Sequence, residues 1–219
     1  MKQLVMAVIK ILSTALLAGL MLFGIFWIYK YYVCTVPSVT SKGKDYSEYL
    51  TECADMAEDY VKVRGLNDEF CVFVDYGLPS GTPRVHVWSF KENKVVYSTY
   101  SMHGPGNGST ASTPVFSNKS GSYCSALGHF TITKDHGNRQ KRGFRLKGMD
   151  TANRNAYSRG LMLHRSKWVD THCWMKYIPL NARSCLGCVT VSSRGFNYLE
   201  SLINSQQKNL LLWSFDSSI

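Results

Sequence analysis

The sequence predicts a mainly β domain, with one helix ahead of its strands and one late helix, preceded by one transmembrane helix. Three observations lead there. An uncharged apolar stretch runs from Ile11 to Tyr29. Apolar residues at helical spacing follow between Tyr46 and Val61 and close at Gly65. From Phe70 onward, short runs rich in Val, Phe, Tyr, Ile and Thr alternate with turn residues.

As a helix, Ile11 to Tyr29 spans about 28 Å, close to the thickness of a hydrocarbon core. Lys2 and Lys10 ahead of it suit a signal-anchor with a cytoplasmic stub, although Lys30, Lys42 and Lys44 dilute the charge asymmetry. A cleaved signal peptide has a shorter apolar region and a small-residue cleavage site. Here the run passes into Trp27, Tyr29, Tyr31 and Tyr32, an aromatic group suited to a membrane interface. Cys34 lacks the small neighbours of a lipoprotein processing site. The chain therefore divides into a stub and signal-anchor over 1–34, a linker over 35–44 rich in Ser, Thr, Lys, Pro and Gly, and a domain over 45–219.

Within that domain, Tyr46, Tyr49, Leu50, Cys53, Ala57, Tyr60 and Val61 place a helix over 46–64 with one face on the core. Strands are expected over Phe70 to Tyr76, Arg84 to Phe90, Val95 to Ser101, His129 to Thr133, Phe144 to Gly148 and Gly160 to His164. Lys91-Glu92-Asn93-Lys94 reads as a hairpin connection. Ser192 or Ser193 caps a helix that sends Phe196, Leu199, Leu202 and Ile203 to the core, and a last strand runs near Leu210 to Phe215. His86, alternating with Val85 and Val87, reads as an outward strand residue.

The chain holds 25 Lys and Arg against 15 Asp and Glu, a net charge of +10. Such a charge is drawn to nucleic acid, anionic lipid or an acidic wall polymer. The basic run of Lys134, Arg139, Lys141, Arg142, Arg145 and Lys147 carries no nucleic-acid motif, so no nucleic-acid partner is expected. It reads as a solvated loop. The cysteines number 7, an odd count that is expected if Cys188 stays unpaired while some of Cys53, Cys71, Cys124, Cys173 and Cys185 pair in an oxidising compartment.

Reactive side chains concentrate between His164 and Cys188. Gly187 has no Cβ, which lets the backbone N–H groups beside Cys188 turn toward a carbonyl oxygen as an oxyanion site. Cys188 is a strong nucleophile only as thiolate, and His164, at the end of the apolar run Leu161-Met162-Leu163, is the candidate base. Cys185-Leu186-Gly187-Cys188 is also a C-x-x-C pair. A thioredoxin-like site sets such a pair at a helix start, whereas Val189-Thr190-Val191 is β-prone. A zinc site wants four ligands; His164, His172 and Cys173 are the remaining candidates, with no second close cysteine pair. No metal and no cofactor are expected.

Phe116-Ser117-Asn118, Gly121-Ser122-Tyr123 with Ser125, Leu127-Gly128 and Phe130, then Gly143, Leu146 and Gly148-Met149, then Asn153, Ala156 and Arg159 leading to His164 and Gly187-Cys188 form an ordered series. From about Phe70 to about Phe215 it resembles the murein L,D-transpeptidase catalytic domain, YkuD-like. The resemblance implies a β-sandwich-type domain and a cysteine transpeptidase acting on peptidoglycan stem peptides. It implies Cys188 as nucleophile, His164 as base, the backbone carbonyl of Arg165 as third member and Gly187 at the oxyanion site. It also puts His103, Ser125, Arg159 and Cys185 on the substrate-binding side, with His103 the second choice as base.

Two positions depart from the family pattern. A small residue is usual where Arg165 stands, a change that a backbone role tolerates, and a serine is usual where Cys185 stands beside Ser184, so that either Cys185 replaces the serine or one residue is inserted. Cys185 either fills the serine's volume in the core or meets Cys188 in a reversible disulfide. His129, His136 and His172 receive no chemistry. The alternative readings are an L,D-carboxypeptidase, with water as acceptor, and an inactive membrane-anchored wall-binding protein. The expected location is the inner (cytoplasmic) membrane, single-pass, with the catalytic domain in the periplasm or cell-wall space.

Overall fold

The computed structural model describes residues 1–33, 35–36, 43–136 and 143–219. Cys34, most of the linker, and Arg139, Lys141 and Arg142 of the basic run lie outside the described residues. The chain forms two units, Met1–Thr35 and Val36–Ile219. The first is helix α1, Lys2–Val33, which outruns the Ile11 to Tyr29 stretch and is long and apolar enough to cross a membrane.

The second unit opens with α2, Tyr46–Arg64. The Asp45 carboxylate accepts from the Ser47 and Glu48 N–H groups at its start, and Gly65 stops it in the left-handed conformation at φ 65°. Its apolar stripe of Tyr46, Leu50, Cys53, Ala54, Ala57 and Val61 is buried.

Among the described residues, the strands are β1 Phe70–Asp75, β2 Val85–Ser89, β3 Lys94–Thr99, β4 Ser101–Met102, β5 Gly128–Ile132, β6 Gly143–Gly148, β7 Met162–Arg165, β8 Val189–Val191 and β9 Leu211–Phe215. Helices α3, Lys167–His172, and α4, Ser193–Ser205, complete the unit. The strands form one sheet in the order β3-β2-β1-β9-β5-β6-β7-β8-β4. The pairs β1 with β9 and β7 with β8 are parallel. Only Tyr100 separates β3 from β4, so the two ends of the strand order adjoin in the chain and the sheet curls back on itself.

Strand alternation sorts the core into two sides. Val72 and Val74 of β1 and Leu212 of β9 meet Phe196, Leu199 and Ile203 of α4 inside the curl. Cys71 and Phe73 of β1 and Leu211 of β9 pack instead with the buried stripe of α2. Burial on both sides is why these strands read as nearly unbroken apolar runs. The expected mainly β fold, with its leading and late helices, is the observed one. Ser192 caps α4, accepting from the Gly195 N–H. The run from Val95 to Ser101 is divided at Tyr100, and β8 and α3 are additional elements.

His86 overturns one expectation: it is 2% exposed rather than outward. The alternation rule assumes a solvent face, which α2 removes from β2. Tyr46 donates its hydroxyl proton to Asp75 Oδ2 at 3.0 Å, so its oxygen faces His86 Nε2 at 3.3 Å as an acceptor. The Ser98 hydroxyl then donates to His86 Nδ1 at 2.8 Å.

Burial holds His86 down to about 4, and burial with the Arg84 guanidinium holds His103 down to about 4. Both lie below the ordinary histidine value of about 6.5, so the unfolded chain takes up protons first as pH falls. Their contribution is complete above about pH 6.5 and is lost between there and about pH 4. Asp75, whose carboxyl burial pushes up, opposes that loss at the acid end. The thermal midpoint is therefore expected to decline through this window, and His86→Gln to reduce the slope by up to about 1.4 kcal/mol per pH unit. Thermal unfolding at fixed ionic strength checks this; a slope unchanged by the substitution contradicts it.

Candidate active site

The site is built on the parallel pair β7 and β8, in which Leu163 lies opposite Val189, His164 opposite Thr190 and Arg165 opposite Val191. Leu163, Val189 and Val191 point into the core. Residues opposite one another share a face, and residues two apart in a strand share it too. His164 and Thr190 therefore face the same side, and Cys188, just ahead of β8, packs on it against Met162, two residues before His164 in β7. The crossover that a parallel pair requires carries α3 and returns through Gly187. It is fastened to α4 by Asp170, whose carboxylate accepts from the Ser193 N–H at 2.8 Å and the Ser193 hydroxyl at 2.6 Å.

His164 is 8% exposed, with Nδ1 at 3.0 Å from the Arg165 carbonyl oxygen. A carbonyl only accepts, so Nδ1 carries the proton and Nε2 the lone pair. The Thr190 hydroxyl stands 3.3 Å from Nε2. Arg165 brings its carbonyl to this arrangement while its side chain is exposed, the guanidinium 5.9 Å from the centre of the Phe196 ring.

Cys188 is 7% exposed and packs with Met102, Met162, Val169, Ile178 and Cys185. Cys185 is 2% exposed, and its thiol donates to the Cys188 carbonyl at 3.2 Å. Burial pushes the Cys185 thiol up to about 12, so it is neutral at physiological pH. No disulfide joins the two cysteines.

Three backbone segments meet beside Cys188, and glycines let them. Gly187 lies at φ 98°, and a Cβ there would come 2.2 Å from the Cys124 carbonyl oxygen. A Cβ on Gly104 would come 2.1 Å from the Tyr123 carbonyl oxygen and 2.7 Å from the Gly187 nitrogen. The Gly104 N–H donates to the buried Ser125 hydroxyl at 3.1 Å. Arg159 donates to the Ser117 carbonyl at 2.6 Å, the Ser122 hydroxyl at 3.1 Å and the Cys124 carbonyl at 2.6 Å.

His103 is 1% exposed. A guanidinium has no acceptor, so Arg84 donates to His103 Nδ1 at 3.2 Å and His103 Nε2 donates to the Thr110 carbonyl at 2.8 Å. Arg84 itself is buried and also donates to the Ser101 and Leu78 carbonyls. Burial lowers it only to about 10, which leaves it charged. Sequence reasoning missed Arg84, because nothing around it marks a buried cation. Thr190 was also missed, although a strand over Val189–Val191 beside the histidine strand would have indicated it. Among the described residues no group of three or more His, Cys, Asp or Glu side chains is gathered to hold a metal ion.

Among solved structures, the chain is similar to an L,D-transpeptidase from Xylanimonas cellulosilytica, at 15% identity and a TM-score of 0.39 over 67% of this chain and 60% of that one. It is also similar to a variant of the helical cell shape determining protein Pgp2 from Campylobacter jejuni, at 10% identity and a TM-score of 0.44 over 68% of this chain and 48% of that one. The chain thus spans about three fifths and about half the length of these two. No curated protein matches it. The L,D-transpeptidase catalytic domain matches residues 42–215, which takes in α2 as well as every strand named above. Since that match covers most of the chain and all of the curled sheet, the protein belongs to the L,D-transpeptidase catalytic domain family, whose chemistry concerns peptidoglycan.

Proposed function

We propose that this protein is a cysteine-dependent L,D-transpeptidase, anchored in the cytoplasmic membrane by α1, with 35–44 as linker and 45–219 as a catalytic domain facing the periplasm or cell-wall space. The observation that supports this best is the hydrogen bond between His164 Nδ1 and the Arg165 carbonyl. It leaves Nε2 as a basic lone pair on the face that Cys188 shares.

In this reading Nε2 takes the thiol proton of Cys188, and the sulfur attacks the carbonyl carbon of the diamino acid in a donor tetrapeptide. Backbone N–H groups beside Gly187 hold the oxyanion of the adduct. As the adduct collapses, the peptide bond breaks and His164 returns its proton to the departing amine of the terminal D-alanine. A thioester on Cys188 remains. An amine of a neighbouring stem gives a proton to His164 and attacks the thioester; the sulfur leaves as thiolate and the new amide is the crosslink. Water in place of the amine gives the carboxypeptidase product. His103, Ser125 and Cys185 are buried, so their part in this reading is to hold the loops beside Cys188.

Cys188→Ala is expected to abolish processing of tetrapeptide muropeptides and acylation by a carbapenem, read by mass spectrometry, with circular dichroism unchanged. Retained turnover would sink the assignment. His164→Ala is expected to slow acylation about 10²- to 10⁴-fold at neutral pH. A larger loss in His103→Ala would mean that the base is misassigned.

For topology, a reporter active only in the periplasm and fused after Ile219 is expected to be active, with the full-length protein in the membrane fraction. A shorter soluble product beginning near Thr35 would identify α1 as a cleaved signal instead.

A further inference from the structure

The resemblance puts Arg159 on the substrate side, yet its guanidinium reaches back into the protein, to the Ser117 and Cys124 carbonyls and the Ser122 hydroxyl. The Cys124 carbonyl is the group pressed against Gly187: a Cβ on Gly187 would stand 2.2 Å from that oxygen and 3.3 Å from an Arg159 Nη2. A carbonyl oxygen facing the nucleophile's loop carries partial negative charge and opposes any further negative charge there. A guanidinium bonded to that oxygen at 2.6 Å reverses the local sign. Half-buried, it is screened less by solvent than a surface cation.

We propose that Arg159 is a positioning residue of this site: it clamps the Cys124 carbonyl against Gly187 and sets the positive field in which the Cys188 thiol ionises. The coupling is mutual. Burial lowers the Arg159 pKa and its coupling to the Cys124 and Cys188 thiols pushes it back up, so the guanidinium in turn favours an ionised Cys188. Other titratable groups near Cys188 among the described residues include His164 across the β7–β8 pair, Tyr76 after β1 and Cys185 in its own loop, with Arg84 behind Cys185. Burial holds Tyr76 and Cys185 each up to about 12, so both are neutral at physiological pH. Arg84 spends its donors on Ser101, Leu78 and His103.

The inference rests on Cys188 as the nucleophile, and its test reads the thiol itself. The rate of Cys188 alkylation by iodoacetamide is followed by mass spectrometry across pH in the full chain, for wild type, Arg159→Gln and Arg159→Lys. The wild-type midpoint is expected below the ordinary thiol value of about 8.5. Arg159→Gln is expected to slow alkylation about tenfold at neutral pH and to leave the limiting rate at high pH within about twofold, a shift of about one pH unit. Arg159→Lys keeps the charge but not the fork, so its midpoint is expected near wild type.

A purely structural role would lower the rate at all pH values and leave the midpoint in place. An unmoved midpoint in Arg159→Gln, or an equal shift in Arg159→Lys, overturns the proposal. If Arg159→Gln does not fold, a wild-type midpoint at or above the ordinary thiol value overturns it alone. A low midpoint in a protein that processes no muropeptide would sink the proposed substrate and leave the role of Arg159 standing.

Discussion

The parallel register of β7 and β8 decides which side chains can meet. Leu163, Val189 and Val191 fill the core on one face, and His164, Thr190 and Cys188 belong to the other. A slip of one residue in either strand would exchange these sets, putting polar and thiol groups among Phe144, Phe196 and Leu199. Core packing thus enforces the alignment on which the imidazole and the thiol depend. The crossover between the strands is long for the same reason: parallel neighbours cannot be joined by a tight turn, and the returning loop delivers Cys185 and Gly187 ahead of Cys188.

Irregular backbone must also find partners when it is packed against the sheet. The segment from His103 to Leu127 has no long ladder of its own, and two guanidiniums meet much of that need. Arg84 works from beneath its start, through His103 to the Thr110 carbonyl, and Arg159 works near its end, on Ser117, Ser122 and Cys124. A planar fork of donors suits this, since it serves several acceptors at fixed angles. A buried cation carries a desolvation cost, and Arg84 offsets it with three hydrogen bonds and a position 5.0 Å over the Tyr76 ring.

Much of the fold was legible because local signals and burial agree. Helix α2 follows its apolar spacing and ends at Gly65, and β1 and β9 show as apolar runs because both their faces are covered. His86 was misread because the covering helix belongs to a distant part of the sequence. Helix α3 was missed because it buries only Val169 and so has almost no periodic apolar signal. At the site, His164, Gly187 and Cys188 stand out by residue type and by order within the family pattern. Their common face, the Thr190 hydroxyl beside Nε2 and the inward reach of Arg159 are products of strand register and packing, which no linear spacing encodes.

The curled sheet has a consequence for how its chain can be cut. Residues 94–102 serve two pairings at once, β3 with β2 and β4 with β8, with Tyr100 as the single joint between them. A break or insertion at that joint would part both ends of the hoop together. The exposed turn at Lys91, Glu92 and Asn93 belongs to one hairpin only, so new termini placed there leave the joint intact. The connectivity of this domain is therefore permissive at the hairpin and strict a few residues later.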